Sequence, residues 1–456
     1  MTTPDLSAPA PELGELRRRL DAVLPGIRQD LEALVRIESV SADPARHAEV
    51  RRSAEATAAL FEAEGFEVEI LAAGGQPAVV GRRPGPEGAP TVLLYAHHDV
   101  QPEGDPADWD SDPWQPTERE GRLFARGAAD DKAGIAAHLA ALRLLGDDLA
   151  VGVKVIIEGE EEIGSPSLER FLETYTDKLS ADVIVIADSG NWDIGIPALT
   201  TSLRGLVRVD VSVRTLTHAV HSGMWGGLVP DSLMALTTLL ASLYDEDGSL
   251  AVTGLHAGPA ADVDYPEERL RAESGIAEGV QWIGTGSSVE RLWTKPALTI
   301  IGIDATSVDK SSNTLIPAAR ARLALRTAPG DTSASALAAL REHLTSHTPW
   351  GAQVEVSVVD TGEATAIDAT GPAYEAARAA FTEAWDGVAP IDMGVGGSIP
   401  FIAAFLDAFP GASVLVTGVE DPDTRAHGAN EGLHLAEFER VCLAEALLLR
   451  NLATGA

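Results

Sequence analysis

Cysteine is almost missing from this chain: Cys442 is the only one in 456 residues. An intrachain disulfide is therefore impossible, and no thiolate cluster can hold a metal. Cys442 lies in the helical apolar pattern Phe438-Glu439-Arg440-Val441-Cys442-Leu443, where a small buried hydrophobe is expected. Basic residues are also scarce, 34 against 69 acidic, giving a net charge of -35. That balance argues against nucleic acid or an anionic membrane surface as a partner, although a part of it can concentrate cations near a site. No stretch is long and apolar enough to cross a bilayer. The segment Met1–Leu20 lacks the apolar core of a signal peptide, so the cytoplasm is the expected compartment. There is no internal repeat and no low-complexity tract beyond the Ala/Pro-rich start.

What is present is an ordinary globular composition, 45% hydrophobic and 23% charged, in a chain too long for one core. Helical apolar spacing runs over 14–37 and 46–64. Apolar runs suited to buried strands follow at Phe66–Leu71, Ala78–Arg82, Thr91–Ala96, Val151–Glu158 and Ala181–Ala187, with helical segments at Lys132–Leu145 and Ser167–Tyr175. Continuous apolar strands alternating with helices predict an α/β fold, a doubly wound and mostly parallel sheet covered on both faces. After Leu203 the pattern changes: strand Leu206–Arg214, helix Asp231–Leu243, strands Ala297–Ala305 and Ala319–Arg326, helix Ala334–His347, strand Gln353–Val359. This βαββαβ order is ferredoxin-like α+β, interrupted by a partly ordered elaboration over about Asp245–Thr294. The doubly wound pattern then resumes with helix Ala373–Trp385, strand Ser413–Val419 and helix Leu435–Leu452. The expected domains are therefore a catalytic domain over 1–202 and 371–456, with the second domain, 203–370, inserted into it.

Sites in such sheets form beyond the carboxyl ends of strands. Five segments there carry acids or histidines: Ala96-His97-His98-Asp99, Arg126-Gly127-Ala128-Ala129-Asp130-Asp131-Lys132, Glu158-Gly159-Glu160-Glu161-Glu162, Ala187-Asp188-Ser189 and Ala426-His427-Gly428. Two divalent ions need about six protein ligands, one carboxylate between them, and a base for the bridging water. The five segments supply that set. Each alone has a plainer reading. An Asp opening a helix is most often an N-cap, three successive Glu are usually a solvated run, and a loop histidine is often only that. Against this, an unpartnered carboxylate such as Asp188 at the end of the core strand Val183–Ala187 is costly, and cations are the natural compensation. His97 and Asp99 point the same way if the chain stays extended, and a carboxylate beside a metal-bound imidazole fixes its tautomer. His98 faces the other way and reads as structural. Adjacent Glu side chains diverge, so one can ligate while the next reaches the bound water.

The chain resembles the dinuclear zinc-dependent metallopeptidases that include carnosinases, carboxypeptidase G, aminoacylases and desuccinylases. The similarity is strongest to the carnosinase-like dipeptidase branch, and it is carried by four motifs. These are His97-His98-Asp99-Val100-Gln101-Pro102, Arg126-Gly127-Ala128-Ala129-Asp130-Asp131-Lys132, His221-Ser222-Gly223-Met224-Trp225-Gly226-Gly227 and Gly396-Gly397-Ser398-Ile399-Pro400. The resemblance implies that His97 and Asp188 bind one ion, Glu162 and His427 the other, and Asp130 bridges them. It implies Glu161 as general base, Asp99 as the residue orienting His97, and a cis peptide at Asp130–Asp131. It also implies that His221 reaches a partner's site across a dimer formed by the inserted domain, and that Arg326, Ser398, Asn313 and Thr314 contact substrate. Where such relatives often carry a charged pair before Gly396, this chain has Gly394-Val395, which suggests a more apolar or more open pocket.

The expected function is a two-metal hydrolase, most simply with zinc (Mn or Co being the other candidates), that cleaves the amide of a dipeptide or similar small substrate with a free carboxylate. An N-acyl- or N-carbamoyl-amino-acid amidohydrolase would use the same metals and the same Arg326. A non-catalytic binding protein of this fold would have lost Glu161 or a ligand, and none is missing.

Overall fold

A long apolar run can be buried on both faces only if helices cover both sides of its sheet, and the chain meets that demand. The computed structural model describes residues 12–259, 262–397 and 400–454. These divide into two compact units, one drawn from Met1–Thr201, Ile367–Met393 and Phe401–Ala456, the other from Ser202–Ala366 and Gly394–Pro400.

In the first unit the sheet order is Glu67–Leu71, Ala78–Arg83, Gly152–Glu158, Thr91–His97, Val183–Ile186, Ser413–Val416, Ala198–Leu203. The four strands from Gly152–Glu158 to Ser413–Val416 run parallel, and the pairings outside them are antiparallel. Thr91–His97 lies inside the parallel part, and Val92 to Ala96 are fully buried. Every carboxyl end of these central strands therefore opens on one edge, where His97, the Glu160–Glu162 segment and Asp188 emerge. Helix Lys132–Leu145 is buried along nearly its whole length. Its alanines at 133, 136, 137, 140 and 141 let it pack closely on its neighbours.

Two buried polar contacts hold this layer. Lys132 Nζ donates to Leu34 O at 2.9 Å and Ile37 O at 2.8 Å, satisfying carbonyls at the end of helix Leu13–Val35. Burial pulls that ammonium down to about 7. His138 has acceptors on both ring nitrogens, Glu445 Oε1 at 2.7 Å from Nδ1 and Tyr95 O at 3.1 Å from Nε2. Two acceptors require two N–H groups, so the geometry selects the imidazolium and ties helices Lys132–Leu145 and Leu435–Thr454 to the central strand.

The second unit is a four-stranded antiparallel sheet ordered Ala297–Asp304, Ala318–Thr327, Gly205–Arg214, Gln353–Gly362, with helices Ser232–Ala241 and Ser333–Ser346. Val207, Val209, Val211 and Val213 point inward onto Leu236, Leu240, Leu340 and Leu344, while Arg208, Asp210 and Ser212 alternate outward. Asp231 caps the first helix by accepting the N–H groups of Leu233 and Met234, and Thr332 caps the second through Ser335 N–H. The elaboration at 245–294 contains helix Glu267–Ser274 and a π-helical turn, Glu290–Thr294.

The sequence reading left out several short elements. Thr117–Arg119, Arg122–Phe124 and Gly432–His434 form a small sheet of their own. Ala198–Leu203, Ile391–Val395 and helix Pro400–Ala408 are also additional.

The His138 imidazolium predicts a pH effect on stability. Burial opposes its charge, but Glu445 and the Tyr95 carbonyl outweigh burial and raise its pKa. A raised folded-state value stabilises fully below the ordinary histidine range, and the contribution fades as pH rises through the folded value. His138→Gln should cost about 3–5 kcal/mol near pH 6. The difference from wild type should narrow toward pH 9, as read by urea unfolding across that range. A pH-independent difference would show that the imidazolium is not the stabilising species.

Candidate metal centre and active site

His97 ends the central strand with a fully buried ring, and four carboxylates gather about it and His427. His97 Nε2 lies 3.1 Å from Asp130 Oδ1, and 3.9 Å from both Glu161 Oε2 and Asp188 Oδ1. The other Asp130 oxygen, Oδ2, is 3.1 Å from His427 Nε2, which is itself 3.3 Å from Glu162 Oε2. Asp130 thus turns one oxygen toward each of two imidazoles. Two overlapping groups of donor atoms result, His97 with Glu161 and Asp188, and His97 with Asp130 and Glu162.

The backbone around Asp130 is held by a residue the sequence reading did not single out. Glu431 accepts N–H groups from Gly127 at 2.9 Å, Ala129 at 2.9 Å and Asp130 at 3.1 Å, and pairs with Arg126 Nη1 at 2.7 Å. Gly127 has φ +76°, and a Cβ there would meet Val100 Cγ1 at 2.5 Å, so the tight approach requires glycine. The Asp130–Asp131 peptide is cis. Asp131 occupies the N-cap position of helix Lys132–Leu145 but makes no side-chain cap bond; its carboxylate accepts the His97 N–H at 3.1 Å instead. The plainer expectation for an Asp opening a helix, an N-cap, therefore does not hold here.

Asp99 orients more than one neighbour. Its carbonyl oxygen lies 3.1 Å and its Oδ1 3.5 Å from His97 Nδ1, so that nitrogen is the natural N–H donor and Nε2 is left facing the acids. The Asp99 carboxylate also accepts the N–H groups of Glu161 at 3.2 Å and Glu162 at 3.1 Å, fixing the acidic turn. Within that turn the three glutamates differ. Glu160 is buried and accepts from Gln76 N–H, Ser167 N–H and Ser167 Oγ, which replaces the solvated-run reading for this residue with a structural one. Glu162 is fixed by Gln101, whose N–H reaches Oε1 at 2.9 Å and whose Nε2 reaches Oε2 at 2.7 Å. The Glu161 carboxylate accepts no hydrogen bond among the described residues and is 18% exposed, against 2% for Glu162. His98 turns away, with Nε2 2.9 Å from Pro77 O, and burial lowers it to about 4.

Crowding leaves a strong electrostatic mark. Burial disfavours the His97 imidazolium, yet bonds to Asp130 and Asp99 and the charges of Asp188 and Glu161 raise it well above the ordinary range. Hydrogen bonds to Asp130 and then Glu162 raise His427 to about 11. Burial, then Asp188, pushes Glu161 well up; burial, then Asp130, raises Glu162; burial moves Asp188 to about 6. Asp130 is held low, and so is Asp99, because the bonds of Asp130 to His427 and His97 and of Asp99 to His97 outweigh burial. These shifts share one cause, an excess of negative charge in a buried space. Lys132, next to the acidic pair in sequence, directs its ammonium to two carbonyls instead. Oxygen and imidazole donors in this number fit divalent cations of the Zn, Mn or Co type, and the donor set accommodates two.

The remaining sequence-predicted residues belong to the second unit. Strands Val220–His221 and Thr314–Leu315 pair so that His221 faces Thr314, and Asn313 O accepts Ser222 N–H at 2.9 Å. His221 is exposed, and its Nδ1 accepts the Gly223 N–H at 3.0 Å. Arg326 is half-buried near the end of strand Ala318–Thr327. Ser398 lies outside the described residues.

Comparison with known proteins places this geometry in a family. The chain is 38% identical to the cysteinylglycine-S-conjugate dipeptidase of Corynebacterium striatum, over 79% of its own length and 81% of the relative's. It is 31% identical to the Beta-Ala-His dipeptidase of Rattus norvegicus, over 76% and 73%. The crystal structure of human carnosine dipeptidase 1 superposes with a TM-score of 0.78 at 26% identity, covering 98% of this chain and 100% of that one. The model of peptidase family M20/M25/M40 matches residues 93–451, a span that includes His97, the acidic turn, Asp188 and His427, and the chain belongs to that family.

Proposed function

We propose that the protein is a metal-dependent dipeptidase acting on dipeptides, or similar small amides, with a free carboxylate. The observation that carries the reading is the Asp130 carboxylate shared between His97 and His427, with Glu161 unbonded beside them. The dipeptidase names of the relatives support the substrate class, and the first of them points to cysteinylglycine conjugates as candidates. Zinc is the proposed metal and the cytoplasm the proposed compartment.

His97 and Asp188 would hold one ion, Glu162 and His427 the other, and Asp130 would lie between them. Two such ions supply an activated water at neutral pH and polarise the scissile carbonyl. The protein's own residues do the rest. Gln101 fixes Glu162 as a ligand, and Asp99 fixes the tautomer of His97. Glu161 is more exposed and makes no competing bond, so it is free to take the proton from the attacking water and pass it to the leaving amine. General acid–base transfer of this kind contributes about 10²–10⁴-fold. Arg326 would hold the substrate carboxylate, with Ser398, Asn313 and Thr314 as further contacts.

His221 is the proposed oxyanion donor, acting in the site of a second copy of the chain. Support for pairing through the inserted domain comes from its exposed apolar residues. The edge strand Ala297–Asp304 presents Ile300, Ile301 and Ile303 at 38%, 50% and 45% exposure, and Met224 and Leu228 beside His221 are 75% and 80% exposed. Such a face suits a two-fold partner.

A hydrolysis screen of dipeptides against N-acyl and N-carbamoyl amino acids, with each metal added to metal-free protein, tests the reading. Dipeptides should be the better substrates; preference for the acyl compounds would move the protein to the amidohydrolase class. The two adjacent glutamates should separate. Glu161→Gln is expected to keep its metal while kcat falls at least 10²-fold, whereas Glu162→Gln should lose an ion by elemental analysis. Substantial turnover by a fully metallated Glu161→Gln protein would remove Glu161 as the base.

The composite site makes a third prediction. His221→Ala and Glu161→Gln, each inactive alone, should regain up to about a quarter of wild-type sites when mixed, because half of the sites in a mixed two-fold dimer carry neither defect. Subunit exchange verified by mass labelling with no recovered activity would confine His221 to its own subunit or to no role.

A further inference from the structure

On the outer face of the four-stranded sheet, most arginines have acids. Arg322 pairs with Asp210 at 2.6 Å, Arg320 with Asp304 at 2.6 Å, and Arg208 approaches Asp360 at 3.8 Å. At the end of the sheet this stops. Arg326 has no hydrogen bond and no ion pair among the described residues, and it stands opposite Leu206 in the register. Arg204 precedes strand Gly205–Arg214 by one residue and lies two residues from Leu206, the register partner of Arg326, so both arginines belong to the same end of the sheet.

Arg204 is 8% exposed, and its bonds are unusual for a buried cation. Nε donates to Gly396 O at 3.3 Å, and Nη1 donates to Arg291 O at 3.3 Å and Lys295 O at 3.4 Å. All three acceptors are neutral carbonyls, and no carboxylate pairs with it among the described residues. Nη2 donates to nothing there and lies against Gly396, where a Cβ would meet it at 2.9 Å. The Arg204 N–H also reaches Val395 O at 3.1 Å. The guanidinium is therefore anchored on one side to the Gly-rich loop and the π-helical turn, with one amino group left over. Burial, followed by the charge of Arg326, brings Arg204 down to about 10.

In a chain with 69 acidic residues, two neighbouring guanidiniums without an acid are a costly arrangement unless an anion comes to them. We propose that Arg204 and Arg326 form one anion subsite, in which the free Nη2 of Arg204 donates to the same substrate carboxylate that Arg326 binds. This rests on the dipeptidase reading and adds to it a second, buried guanidinium that fixes where the carboxylate end of the substrate lies. A carboxylate presents two oxygens and about four lone-pair directions, enough for donors from two arginines. The anchoring of Nε and Nη1 means that Nη2 is already oriented before substrate arrives, so little freedom is lost on binding.

The test compares turnover of a dipeptide with that of the same dipeptide ending in a carboxamide, and binding of N-acetylglycine with that of N-acetylglycinamide, the binding being read in the Glu161→Gln background so that neither probe is turned over. For Arg204→Gln in the full metallated chain, kcat/KM on the acid should fall roughly 10- to 100-fold, mainly through KM. Turnover of the amide should stay within about two- to threefold, since a lost charged contact cannot affect a ligand that never made it. Calorimetry should show N-acetylglycine binding weakened by a similar factor and N-acetylglycinamide unchanged. Equal losses on acid and amide would overturn the proposal and make Arg204 a support for the Gly396 loop only. No loss on either would overturn it too. If the wild-type protein hydrolyses neither peptide, the dipeptidase reading fails separately, and the binding comparison still decides the subsite. Should Arg204→Gln not fold, Arg204→Lys keeps the charge without the fork. It should lower the acid-to-amide preference, and an unchanged preference would exclude Arg204 from the subsite.

Discussion

Everything in the catalytic unit is arranged around mutual repulsion among Asp130, Glu161, Glu162 and Asp188. Carboxylates this close cannot all be ionised without cations between them, and the protein holds them in place through the backbone and, for Glu162, through Gln101, with no lysine or arginine paired to any of them among the described residues. Backbone N–H groups go to Glu431 and Asp99, which in turn shape the loops that present Asp130 and the two glutamates. A lysine or arginine in that position would relieve the repulsion and remove the reason for a metal to bind. Instead Arg126 is paired with Glu431, behind the loop that carries Asp130, and Lys132 reaches back to helix Leu13–Val35.

The parallel sheet turns this electrostatic requirement into a matter of position. Strands that share a direction bring their carboxyl ends to one edge, so three separate strands deliver His97, the glutamate turn and Asp188 within side-chain reach. His427 reaches the same edge from the loop after the fourth parallel strand, Ser413–Val416, with φ +62°. Rigid strands fix the first three, while the last is a loop residue with a 60% exposed side chain.

How much of this could be read from the chain depended on whether the signal was local. Thr91–His97 and Gly152–Glu158 announce themselves because burial on both faces demands unbroken apolar runs, and the acids that follow are conspicuous at their ends. The alternating strand Gly205–Arg214 is as clear for the opposite reason, since one face is wet. Glu431 gave no such signal. Its role consists of bonds to residues about three hundred positions away, and nothing in Ala429-Asn430-Glu431 points there. Asp131 carried no legible role either, since a helix-opening Asp usually caps and only the tertiary bond to the His97 N–H overrides that habit. The strands Thr117–Arg119 and Arg122–Phe124 are too short and too charged for periodicity to reveal. The space at Gly394 was likewise invisible: a Cβ there would meet Trp293 Cβ at 2.6 Å, so the elaboration packs where a side chain would stand.

The order of the proposed ligands along the chain also bears on how the protein is made. Ribosomes release the chain from its N-terminus, and its early parts begin to fold while later ones are still unmade. His97, Asp130, Glu162 and Asp188 are all translated before residue 200, whereas His427 comes only after the whole inserted unit and a second crossing of the sheet. A nascent chain therefore carries all four acids of the cluster through synthesis of the whole inserted unit without the second imidazole. The proposed ligand set is therefore complete only after the inserted unit has been made.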